Sequence, residues 1–229
     1  MKAVVLASGG LDSTVTAAMA RRDGCELFLL TVAYGQRHQI EISRAERISQ
    51  WLTVREHRVI PLDLTVFGQS ALTDQASVPK MRSVAERENG IPCTYVPARN
   101  TIFLSLALAY AEVVQGEAIY IGANIRDYSG YPDCRPEFLS AFSEVARLGT
   151  KRGVEGFPIA VKAPLLMMTK AEIIRLGRDL HVPFEWTHSC YDPQAEGLAC
   201  GQCDSCLIRL EGFREADLKD PIHYMSENR

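Results

Sequence analysis

The chemistry in this chain starts with Ser8-Gly9-Gly10-Leu11-Asp12-Ser13, which lies between a short apolar run and a stretch of helical period. Adjacent glycines reach backbone angles closed to other residues and let main-chain N–H groups come close to an anion. A helix that begins right behind them adds unpaired N–H donors and a favourable dipole. Ser8, Ser13 and Thr14 offer hydroxyl donors to phosphate oxygens, whereas Asp12 suits a phosphate only with a Mg²⁺ ion between them. The same residues would also make a plain tight turn and a helix start. No G-x-x-x-x-G-K-[ST] and no G-x-G-x-x-G occurs, so neither of the two better-known nucleotide loops is present.

Cysteine supplies the second cluster. Of seven cysteines, Cys190, Cys200, Cys203 and Cys206 fall within seventeen residues, the last three at two-residue gaps. Four thiolates close a tetrahedral zinc site with no open position, which makes zinc structural. An iron–sulfur cluster accepts the same spacing, and incidental buried cysteines are the plain alternative. Zinc is the expectation, with Arg209 and Arg214 offsetting the charge of a tetrathiolate and His188 outside the ligand set, at the surface or behind it. Cys25, Cys93 and Cys134 are expected to be ordinary thiols, although Cys134 is a nucleophile on paper.

Positioning these groups requires a scaffold, and strand-length apolar runs alternate with helical periods as in a parallel sheet covered by helices. Strands are expected at 4–7, 27–32, 59–62 and 118–121, with a weaker one at 159–161. Helices are expected at 12–22, 39–52, 101–115, 136–148 and 169–180, and after the cysteines at 204–215. The 101–115 helix is apolar nearly all round and should sit in the core or a subunit contact. Phe138, Phe142 and Val145 form the expected inner stripe of the next. Thr169 and Glu172 have capping-box spacing. Residues 63–98 show no sustained period and read as a flap or interface element; the tail after Phe213 reads as surface.

The 229 residues carry 47% hydrophobic and 23% charged side chains and a net charge of −3. That balance does not favour a broad nucleic-acid face. No run of about 18 apolar residues would span a membrane. The start reads as a buried strand rather than a signal peptide. A cytoplasmic homodimer is the expectation.

Ser8 to Ser13 resembles the pyrophosphate loop of the ATP pyrophosphatase (PP-loop) superfamily. Tyr34-Gly35-Gln36-Arg37-His38, Val96-Pro97-Ala98-Arg99-Asn100, Asp127 to Arg135, Thr169-Lys170-Ala171-Glu172 and the four cysteines extend the likeness over nearly the whole chain. Together they resemble the 7-cyano-7-deazaguanine synthase family of queuosine biosynthesis. Two positions depart from its pattern: Ala98 stands where glycine is usual, and His188 occupies a variable position.

The resemblance implies a Rossmann-like parallel α/β sheet of the adenine nucleotide alpha hydrolase type over 1–185. A C-terminal zinc-binding segment over 186–229 would pack on it. It implies a carbon–nitrogen ligase that takes ATP with Mg²⁺, ammonia and a deazapurine carboxylate to a nitrile. ATP would meet Ala7, Ser8, Gly9, Gly10, Leu11, Asp12, Ser13, Thr14 and Val15, with Asp12, Ser13 and Lys170 catalytic. In place of a loop lysine, candidate cations are Lys162, Lys170, Arg37 and Arg99. Arg99 and Asn100 would also lie on the substrate, Asp133 or Asp127 would accept from the base, and Tyr128 or Tyr131 would stack on it. Two other readings share these motifs: a tRNA-thiolating relative with an iron–sulfur cluster, and a nucleotide-binding regulatory module.

Overall fold

The computed structural model describes residues 1–35, 40–74, 76–126, 130–194 and 197–225. Five strands, β1 (Lys2–Leu6), β2 (Glu26–Ala33), β3 (Glu56–Pro61), β4 (Ala118–Tyr120) and β5 (Ala160–Lys162), pair in parallel in the order β3-β2-β1-β4-β5. Parallel strands covered on both faces need continuous apolar runs, and Ala3–Leu6 and Leu27–Leu30 are such runs, fully buried. β3 carries Glu56, His57 and Arg58 because it is an edge. The chain order reverses between β1 and β4, so the loops leaving those two strands diverge and open a crevice at the carboxyl edge.

Helices α1 (Leu11–Arg22), α2 (Ile40–Leu52), α3 (Val84–Glu88), α4 (Arg99–Val114), α5 (Pro136–Gly149), α6 (Lys151–Val154), α7 (Lys170–Asp179) and α8 (Asp204–Glu215) fill the connections. Val15, Ile48, Leu52, Ile173, Ile174 and Phe213 cover one sheet face with Val5 and Leu29. Leu104, Ala107, Leu139 and Phe142 cover the other with Val4 and Leu30. α7 starts on the expected capping box, with Glu172 N–H donating to Thr169 Oγ1 at 3.3 Å and Thr169 N–H to Glu172 Oε2 at 2.7 Å.

Of the two places expected for α4, the core takes one side of the helix and leaves Val113 exposed near its end. Two other expectations change. In α5 the inner stripe is Leu139, Phe142 and Ala146, while Val145 faces out, because that competing i, i+3, i+7 row is the one that meets the sheet. The tail is not mere surface. Asp220 is buried against Arg209, at 2.7 Å from Nε, and Tyr224 donates to Asp220 at 2.6 Å.

Residues 63–98 have no apolar period because much of this stretch docks through polar pairs. Met81 N–H donates to Gln202 C=O at 2.8 Å. Lys80 meets Asp192 at 2.5 Å, Arg82 forks onto Asp204, and Arg87 reaches Glu211 at 3.5 Å. The segment is a clamp on the cysteine-bearing end of the chain. Among the described residues, no helix is long and apolar enough to cross a membrane.

Candidate functional site

One cavity opens at the β1/β4 switch point. Its walls include Ser8 and Gly10 to Ser13, and also Glu41, Arg99, Lys170 and His188. The loop after β1 is held by its own hydroxyls: Ser13 Oγ donates to Gly10 C=O at 3.0 Å, Thr14 Oγ1 to the same carbonyl at 2.8 Å, and Gly10 N–H to Ser8 Oγ at 3.2 Å. No side chain caps the first turn of α1, so its leading N–H groups can serve an anion. Gly9 has φ +77°, and a Cβ there would lie 2.4 Å from Glu41 C=O. Only glycine fits between this loop and the start of α2. Behind the loop lies Gly122, two residues after β4, where a Cβ would come within 3.0 Å of the Asp12 and Ser13 backbone.

The loop has no lysine of its own, yet an ammonium group is there. Lys170, first residue of α7, is buried and donates to Asp12 Oδ1 at 2.5 Å. This bond takes one carboxylate oxygen of Asp12 and leaves the other for a cation. Lys170 reaches the loop along Gly212 of α8, where a Cβ would meet Lys170 Cγ at 2.2 Å. The cation is thus supplied through tertiary structure, from 158 residues away.

Away from the loop the cavity is aromatic and polar. The Arg99 guanidinium carbon lies 5.9 Å from the Tyr34 ring centre and 6.0 Å from that of Phe103. Tyr131 shares a 2.9 Å hydroxyl contact with Thr94. Asn100 and Asp133 are occupied with each other: Asn100 N–H donates to Asp133 Oδ2 at 2.9 Å and its amide to Asp133 C=O at 3.1 Å. They fix the start of α4 and with it Arg99. Cys134 lines the cavity, but burial first and Asp133 second push its thiol up to about 11, which leaves it protonated and a poor nucleophile. Ala98, just before α4, adopts the left-handed φ of +54° that glycine takes without strain, so the departure noted in the sequence carries a backbone cost.

The four clustered cysteines come together. Their Sγ atoms all lie within 4.8 Å of one another and all four residues are buried. Zn–S bonds of about 2.3 Å in a tetrahedron imply sulfur separations of about 3.8 Å. Cys200–Cys206 and Cys190–Cys203 stand at 4.0 Å. Backbone N–H groups of Asp192 and Cys200 point at Cys190 Sγ at 3.4 and 3.2 Å, and those of Gln202 and Cys203 at Cys200 Sγ at 3.4 and 3.3 Å. Donors converging on sulfur suit thiolates, so the donor set fits a bound metal ion with no open position. The expected counter-charges do not face it. Arg209 is spent on Asp220, Thr187 and Phe184 C=O, and Arg214 is an exposed partner of Glu211. Lys80 is the cation beside Cys200, and Asp192 and Cys200 together push its ammonium group up against the opposing effect of burial.

His188 is buried, not superficial, and its N–H donates to Gly9 C=O at 3.0 Å. Two residues further on is Cys190. The cysteine cluster and the loop after β1 therefore share a wall.

A family model described as queuosine biosynthesis protein QueC matches residues 2–217. The chain belongs to the QueC family. Its relatives include proteins named 7-cyano-7-deazaguanine synthase. That of Anaeromyxobacter sp. (strain Fw109-5) is 56% identical over 227 residues, covering 99% of this chain and 97% of that protein. Those of Desulfatibacillum aliphaticivorans (55% identical, covering 98% of this chain and 97% of that protein) and Myxococcus xanthus (strain DK1622; 56%, covering 97% of each) are equally extensive matches.

Of the residues singled out in the sequence of this QueC-family chain, Ala7, Ser8, Gly10, Leu11, Asp12, Ser13, Arg99, Asn100 and Lys170 line the cavity. Gly9, Thr14 and Val15 stand behind that surface. Asp133 sits behind Asn100, and Lys162 is on β5 with its Nζ 3.2 Å from Tyr120 OH. Arg37, Asp127 and Tyr128 lie outside the described residues.

Sequence reasoning missed Glu41. Its carboxyl lines the cavity, and burial, only partly opposed by Arg99, raises it from the ordinary 4.5 to about 7. The one local signal was an acid in the first turn of a helix that follows a loop at the carboxyl edge. A carboxyl raised in the folded state stabilises the fold below its unfolded value and loses that contribution as pH rises through its folded value. Thermal melts should therefore show stability falling between about pH 4.5 and about pH 7, and Glu41→Gln should flatten that slope. Equal slopes in the two proteins would show that the carboxyl is hydrated.

Proposed function

We propose that this QueC-family protein uses ATP to convert 7-carboxy-7-deazaguanine and ammonia into the nitrile 7-cyano-7-deazaguanine, the compound that appears in its relatives' name. The observation that carries the reading is the single cavity that joins a lysine-assisted phosphate loop to a guanidinium and aromatic chamber of a size and chemistry suited to a planar anion. A carboxylate is a poor electrophile because its leaving group would be oxide. Transfer of AMP to it gives a mixed anhydride, ammonia gives the amide, and a second activation of the amide oxygen allows its loss to form the nitrile. The protein's task is alignment and charge neutralisation at phosphorus.

Within Ala7 to Val15, the cavity-lining Ala7, Ser8 and Gly10 to Ser13 meet the triphosphate in this reading, with Gly9, Thr14 and Val15 shaping the loop behind them, and Ser13 and Lys170 stabilise charge as the α–β bond breaks. The second Asp12 oxygen meets Mg²⁺, which supplies charge neutralisation. Arg99, with Arg37, faces the anionic groups, while Tyr34, Tyr131 and Tyr128 contact the flat base. Asn100 and Asp133 act by holding Arg99. The closed tetrathiolate takes zinc as a structural ion, and 186–229 is a segment packed on a 1–185 nucleotide domain. Free, reduced cysteines support a cytoplasmic location. The exposed Val113, Leu148, Val154 and Phe157 support a homodimer.

Mass spectrometry of purified protein incubated with Mg·ATP, an ammonium salt and 7-carboxy-7-deazaguanine should show the amide and then the nitrile, with AMP and pyrophosphate. ATP binding without either product would reject the reading in favour of a regulatory module.

A further inference from the structure

We infer that Glu41 is the base that takes a proton from ammonium in this cavity, releasing the neutral amine that attacks the activated carboxylate. The inference rests on the proposed ATP- and ammonia-dependent reading. It stands first on position. Glu41 opens α2, and its backbone carbonyl abuts Gly9 of the phosphate loop so tightly that a Cβ on Gly9 would lie 2.4 Å from it. Its side chain lines the same cavity as Ser8, Asp12 and Arg99. In the proposed reading the adenylate forms on that loop, and a group at this position shares its cavity.

It stands second on what the carboxyl does not do. The other acids near this site are committed: Asp12 to Lys170, Asp133 to the start of α4, Asp192 to Lys80 and Asp204 to Arg82. Among the described residues, no hydrogen bond or ion pair engages the Glu41 carboxyl. The groups that face it are Arg99 from α4 and Tyr34 just after β2, while Asp12 is bonded to Lys170. Arg99 holds its charge near Glu41 without capturing it. A partly buried carboxyl with an affinity for protons near neutrality is matched to proton transfer at working pH.

The chemistry requires such a group. At neutral pH ammonia is almost wholly ammonium, which has no lone pair. In the proposed step one N–H bond of ammonium breaks, its proton goes to the Glu41 carboxylate, and the electron pair stays on nitrogen. That pair forms the new C–N bond. The bond from the acyl carbon to the phosphate oxygen breaks and its electrons leave with AMP. Nitrogen then sheds one proton to water to give the neutral amide, and Glu41 returns its own proton to solvent.

Hydroxylamine separates this role from substrate binding, because it is already a neutral nucleophile at neutral pH and traps the same anhydride as a hydroxamate. With wild-type protein and Glu41→Gln, the yields of amide plus nitrile from an ammonium salt and of hydroxamate from hydroxylamine are measured near pH 7.5. The ratio of the first to the second should fall about 100-fold in the variant. It should recover in part toward pH 9 as free ammonia rises. Hydroxamate formation itself certifies that the variant is folded and forms the anhydride. A ratio that falls by less than about tenfold, whether both yields drop or neither does, overturns the assignment and leaves Glu41 a binding or structural residue. A variant that makes no hydroxamate at all overturns it too, as does a Glu41→Asp variant whose ratio is as low in the presence of ample hydroxamate. If wild-type protein forms neither product, the underlying functional reading has failed, and the inference falls with it.

Discussion

Asp12→Ala is expected to reduce nitrile formation by at least about 100-fold while the protein remains folded. Asp12 holds the Lys170 ammonium group at the loop after β1 through a 2.5 Å bond, and in the proposed reading its second oxygen meets a metal ion. Losing it removes both functions. The fold should tolerate the loss because Lys170 lines a cavity that water can enter, so a melting temperature lowered by only a few degrees is expected. Lys170→Ala should cost a similar factor. If the pair acts as a unit, the double variant will be little worse than either single one. Single-turnover measurement of AMP release in the four proteins decides the matter. Unchanged turnover in Asp12→Ala would remove Asp12 from the site, and losses that multiply in the double variant would show two independent roles.

Cys203→Ser should produce the largest loss of stability. Cys203 is fully buried, precedes α8, and brings its sulfur within 4.0 Å of that of Cys190. Binding free energy at such a site is folding free energy. A loss on the order of 5 kcal/mol would lower the melting temperature by roughly 10–20 °C for a chain of this size. Elemental analysis should find about one zinc per wild-type chain and almost none in the variant, and the wild-type protein should be colourless. A metal-free variant that melts with the wild type would end the structural role. A brown wild-type protein absorbing in the visible would replace zinc with iron and sulfur.

The scaffold was legible because its signals are local. Ala3–Leu6 is a continuous apolar run that only a doubly covered strand needs, and Thr169 with Glu172 announces a helix start by spacing alone. α8 begins and ends at the residues expected. The cysteine cluster was readable for the same reason, since its ligands are close in sequence. The partnerships within the site were not readable. Nothing local joins Lys170 to Asp12, and that contact exists only because Gly212 lets the lysine stem pass. Asn100 and Asp133, read as contacts for a base, find each other once α4 and the turn at Pro132–Cys134 are side by side. Lys80 sits in a stretch with no period, so its position beside Cys200 had no sequence signal. Arg209 looked like a counter-charge for the thiolates, but Asp220 is held against it by a tail that composition alone describes as solvent-facing.

The hydrogen bond from His188 to Gly9 has a consequence for synthesis of the chain. Residues near Gly9 form the floor on which a triphosphate would rest in the proposed reading, but one side of that floor is built from residues made much later in the chain. Until His188 and the helix bearing Gly212 have docked, Gly9 lacks its backstop and Lys170 lacks the surface that steers it. The surroundings of the loop after β1 are therefore complete only after translation has delivered His188 and Gly212.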